Sequence, residues 1–395
     1  MLDARPNSPR FSCGREARWF RILRSAENVA PASCKRVILP SGIVGTVQHL
    51  SLGAARVFYT GIDQHRRSSV LTTFAEDGQV LGHATLPNEP LRLRRSFAQF
   101  PGPHRAVVEA TGRWYWLRDL LRRDGIDLRL AHAKFLKAIA YAKVKTDAVD
   151  AGTLGQLLRT GFIPEAHMIS EALRGPRDVL RTRLRLVERG TSCRNSVDRL
   201  LEKFNVATVD QLPPLYQAQA AVHAAQIALL RDQIRQLERL VRPALLDCPE
   251  IQRLLWIPGI GPLTAGTIYL EVDGITRFPT VQHFWFYCRL VPGAANSAQR
   301  MRHRSGNQDG NRYLKLAVSH ATIRAIQYFP EIRAWYQRWK RKKPRNVARA
   351  LVAKELAKSV YLVLHEQVDF NQQFKGTPLT RQKQARWPRR ASPSA

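Results

Sequence analysis

Four acidic residues in the N-terminal half of the sequence have the types and positions of a metal site. Asp63 follows the apolar run FYTGI, Glu109 lies in AVVEATG, and Asp147 and Asp150 lie three residues apart in KTDAVDA. Carboxylate clusters suit Mg²⁺ or Mn²⁺. Two such ions about 4 Å apart can stabilise both the attacking and the leaving oxygen of a phosphodiester. The four residues therefore predict metal-dependent chemistry on a phosphate ester.

Three of the four acids also have an ordinary structural interpretation. Glu109 could lie on the solvent face of an alternating strand, although the neighbours Val107 and Val108 favour a buried central strand, where an unpartnered charge is costly. Asp147 and Asp150 could be first-turn acids of a helix capped by Thr146, where they favour the helix dipole. The chemical interpretation is favoured because the three sites occur together.

A second segment whose residues could take part in catalysis is the basic loop LVPGAANSAQRMRHRSGNQDGNRYLK, residues 290–315. Ser297 and Ser305 are candidate nucleophiles, since neighbouring cations could stabilise charge on an attacked phosphorus. Those cations are Arg300, Arg302, His303 and Arg304. From composition alone, each serine is better explained as a turn residue than as a nucleophile.

Two further segments predict contacts with nucleic acid. The Gly-rich hairpin IPGIGPLTAG, residues 257–266, could bring backbone N–H groups to a phosphate, as in helix-hairpin-helix proteins. The run RWKRKKPR combines positive charge with nearby rings that could stack on bases. Its cations are Lys340, Arg341, Lys342 and Lys343, and its rings are Trp335, Tyr336 and Trp339. The alternatives are a plain turn between helices and a solvated helix face.

The overall composition supports a polyanionic partner. The 395 residues carry a formal net charge of +32, which indicates nucleic acid rather than a small neutral ligand. The five cysteines form no Cys-x-x-Cys pair, which argues against a zinc ribbon or a disulfide framework. Since no run of 18 apolar residues occurs, we expect no membrane span and a cytoplasmic, nucleoid-associated protein.

The elements that must position the acids follow from the hydrophobic pattern. Three strands, in RVFYTGIDQH, SSVLTTFAED and QVLGHATL, form an antiparallel meander. A helix in EPLRLRRSFAQF, a strand in AVVEATG, a helix over 114–123, a strand in IDLRLAHA and a helix starting near Thr146 follow. The order β-β-β-α-β-α-β-α predicts an α/β ribonuclease-H-like domain.

The remaining chain divides by composition into four further segments. Residues 1–55 are expected to be a disordered basic arm or an upstream extension, and 56–168 hold the ribonuclease-H-like domain. Heptad-like spacing over 169–248 predicts a coiled-coil segment, broken near Leu212. Residues 249–368 predict a mostly helical C-terminal domain, and 369–395 a disordered basic tail.

At these residues the sequence resembles the insertion-sequence 110 family of transposases. The DEDD quartet of that family maps onto Asp63 in GID, Glu109 in VVEATG, and Asp147 and Asp150 in KTDAVDA. Its C-terminal motif maps onto IPGIGP, RLVP, Ser297 and GNRYLK, and the whole resemblance runs from about Val57 to Leu364.

The resemblance has two departures from the family pattern. Arg289 stands where Gly is common, and Ala298 follows Ser297 where Gly is usual. Ser305 keeps a following Gly306 and therefore remains the alternative nucleophile.

The resemblance implies a recombinase with a RuvC-like N-terminal domain. Ser297 would form a covalent phosphoserine link to DNA while the quartet binds Mg²⁺ as metal ligands. A structured noncoding guide RNA and a homo-oligomer, a dimer or tetramer joined through the middle helices, are also implied. Two alternatives stay open, which are a metal-dependent nuclease of the resolvase class and an inactive nucleic-acid-binding remnant.

Overall fold

The fold is described from a computed structural model. It describes residues 56–139, 146–297, 300–304, 309–371 and 373–379. These residues form two compact units that divide between Met168 and Ile169. No helix in these ranges is both long enough and apolar enough to cross a membrane. The predictions for residues 1–55, for Ser305 and for 380–395 lie outside the described residues.

The N-terminal unit is built on a five-stranded mixed sheet. Strands β1 (Phe58–Gln64), β2 (Ser68–Phe74) and β3 (Val80–Pro87) form the predicted antiparallel meander. Strands β4 (His104–Glu109) and β5 (Asp127–Ala131) extend it in parallel from β1, giving the order β3-β2-β1-β4-β5. This mixed α/β arrangement fits the predicted ribonuclease-H-like domain.

Four helices accompany this sheet in the described part of the unit. They are α1 (Pro90–Ala98), α2 (Trp114–Arg123), α3 (Ala133–Ile139) and α4 (Asp147–Arg159). Three match the sequence prediction. The short α3 was not predicted, because its seven residues, AKFLKAI, are too few to show a helical period.

The two faces of the sheet carry different helices. On one face, Tyr59 and Val107 pack in one cluster with Leu154 and Leu158 of α4. On the other, the ring of His104 in β4 lies 5.3 Å from the ring of Phe97 in α1. Since successive strand residues point to opposite faces, the residues of β1 that share a face with Tyr59 are Gly61 and Asp63. Asp63 therefore lies on the α4 face.

The second unit begins with two long antiparallel helices, α5 (Glu171–Phe204) and α6 (Pro214–Leu246). Arg183 of α5 pairs with Glu238 of α6, and the ring of Phe204 in α5 contacts the ring of Tyr216 in α6. Later residues of α5 therefore contact earlier residues of α6, so the two helices are antiparallel. The connection contains the buried Leu212, at the predicted break. We call this pair the helical hairpin.

The rest of the second unit is mostly helical, as predicted. Its helices are α7 (Pro249–Leu254), α8 (Pro262–Val272), α9 (Val281–Tyr287), α10 (Arg312–Tyr328), α11 (Pro330–Lys340) and α12 (Arg345–His365). They surround one continuous apolar core. Between α9 and α10 lies an antiparallel ribbon of β6 (Gly293–Ser297) and β7 (Arg300–Arg304).

Part of the predicted disordered tail is ordered. Strands β8 (Gln373–Phe374) and β9 (Thr377–Pro378) pair after α12. Phe374 is buried, and its ring lies 5.5 Å from that of Trp335. The tail prediction is wrong for these residues because one aromatic anchor gives the polar segment enough apolar contact to fold back.

Candidate active site

The position of α4 on the sheet depends on two glycines. A Cβ on Gly61 of β1 would lie 1.9 Å from the carbonyl oxygen of Ala151 and 2.4 Å from the amide nitrogen of Gly155. A Cβ on Gly155 would lie 2.5 Å from the ring of Phe74. The helix and strand backbones therefore meet at a distance that only glycine allows. This contact brings the first turn of α4 to the end of β1.

The first turn of α4 is fixed by a side-chain cap. The hydroxyl of Thr146 accepts a hydrogen bond of 3.3 Å from the amide of Val149, as the sequence predicted. The helix then starts with Asp147, and Asp150 follows one turn later. Both carboxylates therefore belong to the turn that α4 places at the carboxyl end of the sheet.

Asp63 and Glu109 reach the same end of the sheet from two parallel strands. The register pairs Ile62 of β1 with Val108 of β4, so the next residues, Asp63 and Glu109, are neighbours. Val107 and Val108 are fully buried, as predicted for a central strand, and Glu109 is partly exposed at the strand end. The carboxyl edge of a parallel sheet is where such sites form.

The electrostatics of Asp63 report the convergence of all four carboxylates. Burial raises the pKa of Asp63 above its ordinary value, and the nearby His65 lowers it. The negative charges of Asp147, Asp150 and Glu109 each raise this pKa further. A half-buried carboxyl surrounded by three like charges is an arrangement that a bound cation would stabilise.

His65 is a member of this cluster that the sequence analysis did not identify. Its Nε2 lies 3.2 Å from Oδ2 of Asp63 and 3.0 Å from Oδ2 of Asp147. The spacing Asp-x-His at a strand end places both side chains on one face, and this was the available sequence signal.

The donors at this edge fit a divalent metal ion. One atom each from Asp63, His65 and Asp147 lies within 4.8 Å of the others. Adjacent ligands of an octahedral ion with bonds of about 2.1 Å lie about 3.0 Å apart. The two distances from Nε2 agree with that spacing, and the oxygen-rich set matches the chemistry of hard divalent ions.

The predicted nucleophile lies in the β6–β7 ribbon of the second unit. Ser297 is the last residue of β6 and pairs with Arg300 across the turn. Arg302 and Arg304 occupy alternate positions further along β7. Ser305 lies outside the described residues.

The chain segments that flank the ribbon are tied together. The amide of Asn311 donates to the carbonyl of Tyr287, at 2.7 Å, and the Arg289 guanidinium donates to the carbonyl of Gly310, at 2.8 Å. A Cβ on Gly310, whose φ is +105°, would lie 2.5 Å from the carbonyl oxygen of Tyr287. The ribbon therefore leaves and rejoins the helical core at one fixed point.

A buried polar network supports that point. Glu271 of α8 is 3% exposed and accepts two hydrogen bonds of 2.6 Å from Arg181 of α5. The same carboxylate accepts a bond of 2.7 Å from Asn311, whose side-chain oxygen caps α10 through the amides of Tyr313 and Leu314. The network therefore links the helical hairpin, α8 and Asn311, the residue that caps α10 after the ribbon.

The predicted hairpin IPGIGP joins α7 to α8 and packs into the core. Ile257 and Ile260 are buried, and Gly259 has φ +79°. A Cβ on Gly259 would lie 2.1 Å from the carbonyl oxygen of Ala321 in α10. Gly259 therefore serves helix packing, and phosphate binding by this hairpin stays a prediction.

The basic cluster at the end of α11 consists of four exposed cations, Lys340, Arg341, Lys342 and Lys343. The aromatic rings beside it are not all available to stack on a base. Tyr336 is buried in the core, and Trp335 and Trp339 pack against it. The prediction of a stacking ring is wrong for Tyr336, because its side chain faces the helical core.

Comparison with known proteins identifies both parts of the chain. Residues 60–206 match a family model of transposases, the DEDD transposases of IS110, and residues 251–337 match the Transposase IS116/IS110/IS902 family. A probable family 20 transposase of Pseudomonas aeruginosa is 27% identical over 297 residues, which are 69% of this chain and 87% of that protein.

A second relative comes from an insertion element. The insertion element IS110 uncharacterized 43.6 kDa protein of Streptomyces coelicolor is 29% identical over 115 residues, 29% of this chain and 28% of that protein. The DEDD family model spans all four acids, and the second model spans the ribbon that carries Ser297. The chain belongs to the IS110 family of transposases, enzymes that bind DNA and catalyse the cleavage and transfer of its strands.

Proposed function

We propose that this transposase cuts and rejoins DNA with Ser297 as nucleophile and with Mg²⁺ or Mn²⁺ held by Asp63, Glu109, Asp147 and Asp150. The observation that carries the proposal is the cluster of Asp63, His65 and Asp147, whose donor atoms lie within 4.8 Å of one another. Asp150 and Glu109 lie near enough for their charges to raise the pKa of Asp63. Four carboxylates at one sheet edge, in a protein with a net charge of +32, suit a metal-bridged phosphodiester. The bound metal would stabilise negative charge on the phosphate oxygens.

The proposed covalent step conserves the number of phosphodiester bonds. The bond from Ser297 Oγ to phosphorus forms as the bond from that phosphorus to a deoxyribose oxygen breaks, and the serine proton ends on the leaving oxygen. Attack by the deoxyribose hydroxyl of another strand then releases the serine and rejoins the DNA. The basic residues Arg300, Arg302 and Arg304 of β7 are proposed to bind phosphate beside the serine.

The basic cluster of Lys340, Arg341, Lys342 and Lys343 is proposed as a second phosphate-binding surface, because its four cations are exposed. We further propose a structured noncoding guide RNA from the same element and a homo-oligomer joined through the helical hairpin. Sequencing of RNA that copurifies with the protein tests the first of these. Light scattering of the purified protein tests the second.

Serine variants test the choice of nucleophile. We expect Ser297→Ala to abolish covalent protein–DNA adducts and strand rejoining, while DNA binding and the melting temperature change little. Ser305→Ala, in the same segment, is the matched control and should retain the adduct.

If Ser297→Ala still cut DNA in a reaction that Asp63→Asn abolished, the serine mechanism would be wrong and hydrolysis by the acidic site alone would take its place. A reversed result, with adducts lost only in Ser305→Ala, would move the nucleophile to Ser305. If Asp63→Asn still cut DNA and still formed adducts, the proposed metal role of the quartet would be wrong.

A further inference from the structure

The imidazole of His65 has an unusual relation to the two aspartates beside it. Nε2 lies 3.2 Å and 3.0 Å from oxygens of Asp63 and Asp147. This nitrogen is itself buried, yet it forms no hydrogen bond with any described residue. It is thus close to two carboxylate oxygens without its N–H direction pointing at either. Such an arrangement is expected when three donors face a common point between them.

The main chain of His65 is rigidly held. Its amide donates to the carbonyl of Ser68, at 2.9 Å, and its carbonyl accepts from the side-chain amide of Asn88, at 3.0 Å. The other side-chain atom of Asn88 accepts from the hydroxyl of Ser69, at 2.7 Å. Both polar groups of the His65 backbone are therefore bonded to the β1–β2 turn and the end of β3. The ring projects from a fixed support, as a metal ligand requires.

We propose that His65 supplies a nitrogen ligand to the metal ion bound by Asp63 and Asp147, so that this position binds Mn²⁺ in preference to Mg²⁺. The inference rests on the proposed metal role of the four carboxylates and adds a fifth protein group to it. Its basis is the set of three donor atoms that lie within 4.8 Å of one another.

The chemistry of the donors leads to the metal preference. Mg²⁺ favours oxygen ligands and retains its water, whereas transition-series ions accept imidazole. An all-carboxylate site would bind either ion through similar contacts. Replacing one oxygen by Nε2 of His65 adds a bond that is worth more to Mn²⁺ than to Mg²⁺. The expected signature is a metal preference that depends on one imidazole.

The competing role for His65 is that of a counter-charge. A charged imidazolium between Asp63 and Asp147 would offset their repulsion without binding metal. In that case, a metal ion that enters the site would displace the ring. The two roles differ in whether nitrogen is bonded to the ion in the loaded protein, which spectroscopy can measure directly.

The test uses the full chain with Mn²⁺ as the probe. Electron spin echo modulation from ¹⁴N should be present in the Mn²⁺-loaded protein and absent in His65→Ala. His65→Gln, which offers an oxygen at similar reach, should also lack the nitrogen signal. By calorimetry, His65→Ala should weaken Mn²⁺ binding by about tenfold or more and Mg²⁺ binding by less than about threefold. His83→Ala, on the exposed edge strand β3, is the matched control and should leave both affinities and the nitrogen signal unchanged.

A bound Mn²⁺ ion without a ¹⁴N signal, or with a signal that persists in His65→Ala, would overturn the inference. Asp63→Asn separates this result from failure of the proposed function. If Asp63→Asn abolishes Mn²⁺ binding while His65→Ala does not weaken it, only the role of His65 is wrong. If Asp63→Asn leaves the Mn²⁺ affinity unchanged, the metal role of the quartet is wrong. The inference about His65, which rests on that role, then fails with it.

Discussion

At the scale of one residue, Asp63 shows how burial and nearby like charges disfavour an ionised carboxylate in the folded protein. Its carboxylate is 19% exposed, and three other acids act on it. The folded protein holds the Asp63 proton more tightly than the unfolded chain does, because burial and like charge raise its pKa. The contribution of this group to stability therefore falls as the pH rises from the ordinary value of 3.8 through the raised value.

The first prediction concerns Asp63→Asn in metal-free buffer. We expect the variant to melt a few degrees above the unmodified protein at neutral pH, since one of the four repelling charges is removed. The difference should shrink as the pH falls below the pKa of Asp63, because the unmodified protein then gains a proton at the same position. Melting curves recorded from neutral pH to about pH 4 measure this trend.

Addition of a divalent metal should reverse which of the two proteins has the higher melting temperature. Mg²⁺ or Mn²⁺ should raise the melting temperature of the unmodified protein and leave that of Asp63→Asn nearly unchanged, because Asp63 is a proposed ligand of the ion. An Asp63→Asn protein that is less stable than the unmodified protein without metal would contradict this account of the repulsion.

At the scale of elements, the contact between β1 and α4 decides whether the acids meet. The glycines at positions 61 and 155 allow the two backbones to touch, and α4 carries Asp147 and Asp150 on its first turn. Any side chain at position 61 has to push the helix away from the sheet. Such a shift separates acids that are far apart in sequence.

The second prediction compares two Gly→Ala changes. In Gly61→Ala the new Cβ meets backbone 1.9 Å away, so we expect a loss of about 2–4 kcal/mol in unfolding free energy and a large loss of metal affinity. In Gly152→Ala, within α4, the new Cβ has nothing within 4 Å. That variant should be neutral or up to about 1 kcal/mol more stable. Urea unfolding and metal titration compare the two, and equal effects would refute the role of the close contact.

The third prediction concerns the buried network that connects α5 of the helical hairpin with α8 and with the start of α10. Glu271→Ala leaves Arg181 and Asn311 without their shared partner, and we expect a loss of about 3 kcal/mol in unfolding free energy. Glu238→Ala removes the partner of Arg183 on the same helix, where the carboxylate is 30% exposed, against 2% for Glu271. This control should cost less than about 1 kcal/mol.

A double variant identifies the source of the Glu271 effect. Replacing the pair together, as Glu271→Leu with Arg181→Met, should cost less than Glu271→Ala alone, because no charge remains buried without a partner. Chemical denaturation of the four proteins gives the comparison. Equal losses in Glu271→Ala and Glu238→Ala would contradict the importance of burial.

For the molecule as a whole, we expect the excess of positive charge to supply most of the affinity for DNA. A protein that neutralises several phosphates loses affinity steeply with salt, by about 0.9 in the slope of log K against log [salt] for each phosphate contact. The net charge of +32 therefore predicts tight, strongly salt-dependent binding with little sequence preference in the absence of further partners.

The fourth prediction assigns part of that slope to the cluster after α11. Lys342→Ala and Lys343→Ala together should lower the slope by up to about 2 and weaken binding to all DNA sequences alike. Lys358→Ala, at an exposed position of α12 outside the cluster, is the control and should change neither quantity. An unchanged slope in the double variant would exclude the cluster from the DNA interface.

The sequence by itself determined the class of the protein and most of its elements. Alternating and helical hydrophobic periods are local properties of the chain, so they predicted the five strands, α2 from Trp114 and the Thr146 cap correctly. Asp63 and Glu109 were found because a charged residue at the end of an apolar run or within one is conspicuous, and Asp147 and Asp150 because they lie three residues apart at a predicted helix start. The family resemblance, which family models confirm, follows from the same motifs.

Only the tertiary structure decided which groups share the site and which rings are free. His65 joins Asp63 and Asp147 because α4 lies directly on β1, a contact set by Gly61 and Gly155, which no local period reveals. Tyr336 and Phe374 are both buried, and Phe374 packs against Trp335, a residue of a helix distant in sequence. The physical reason is that periodicity reports which face of an element is apolar, whereas the partner of that face depends on packing between distant segments.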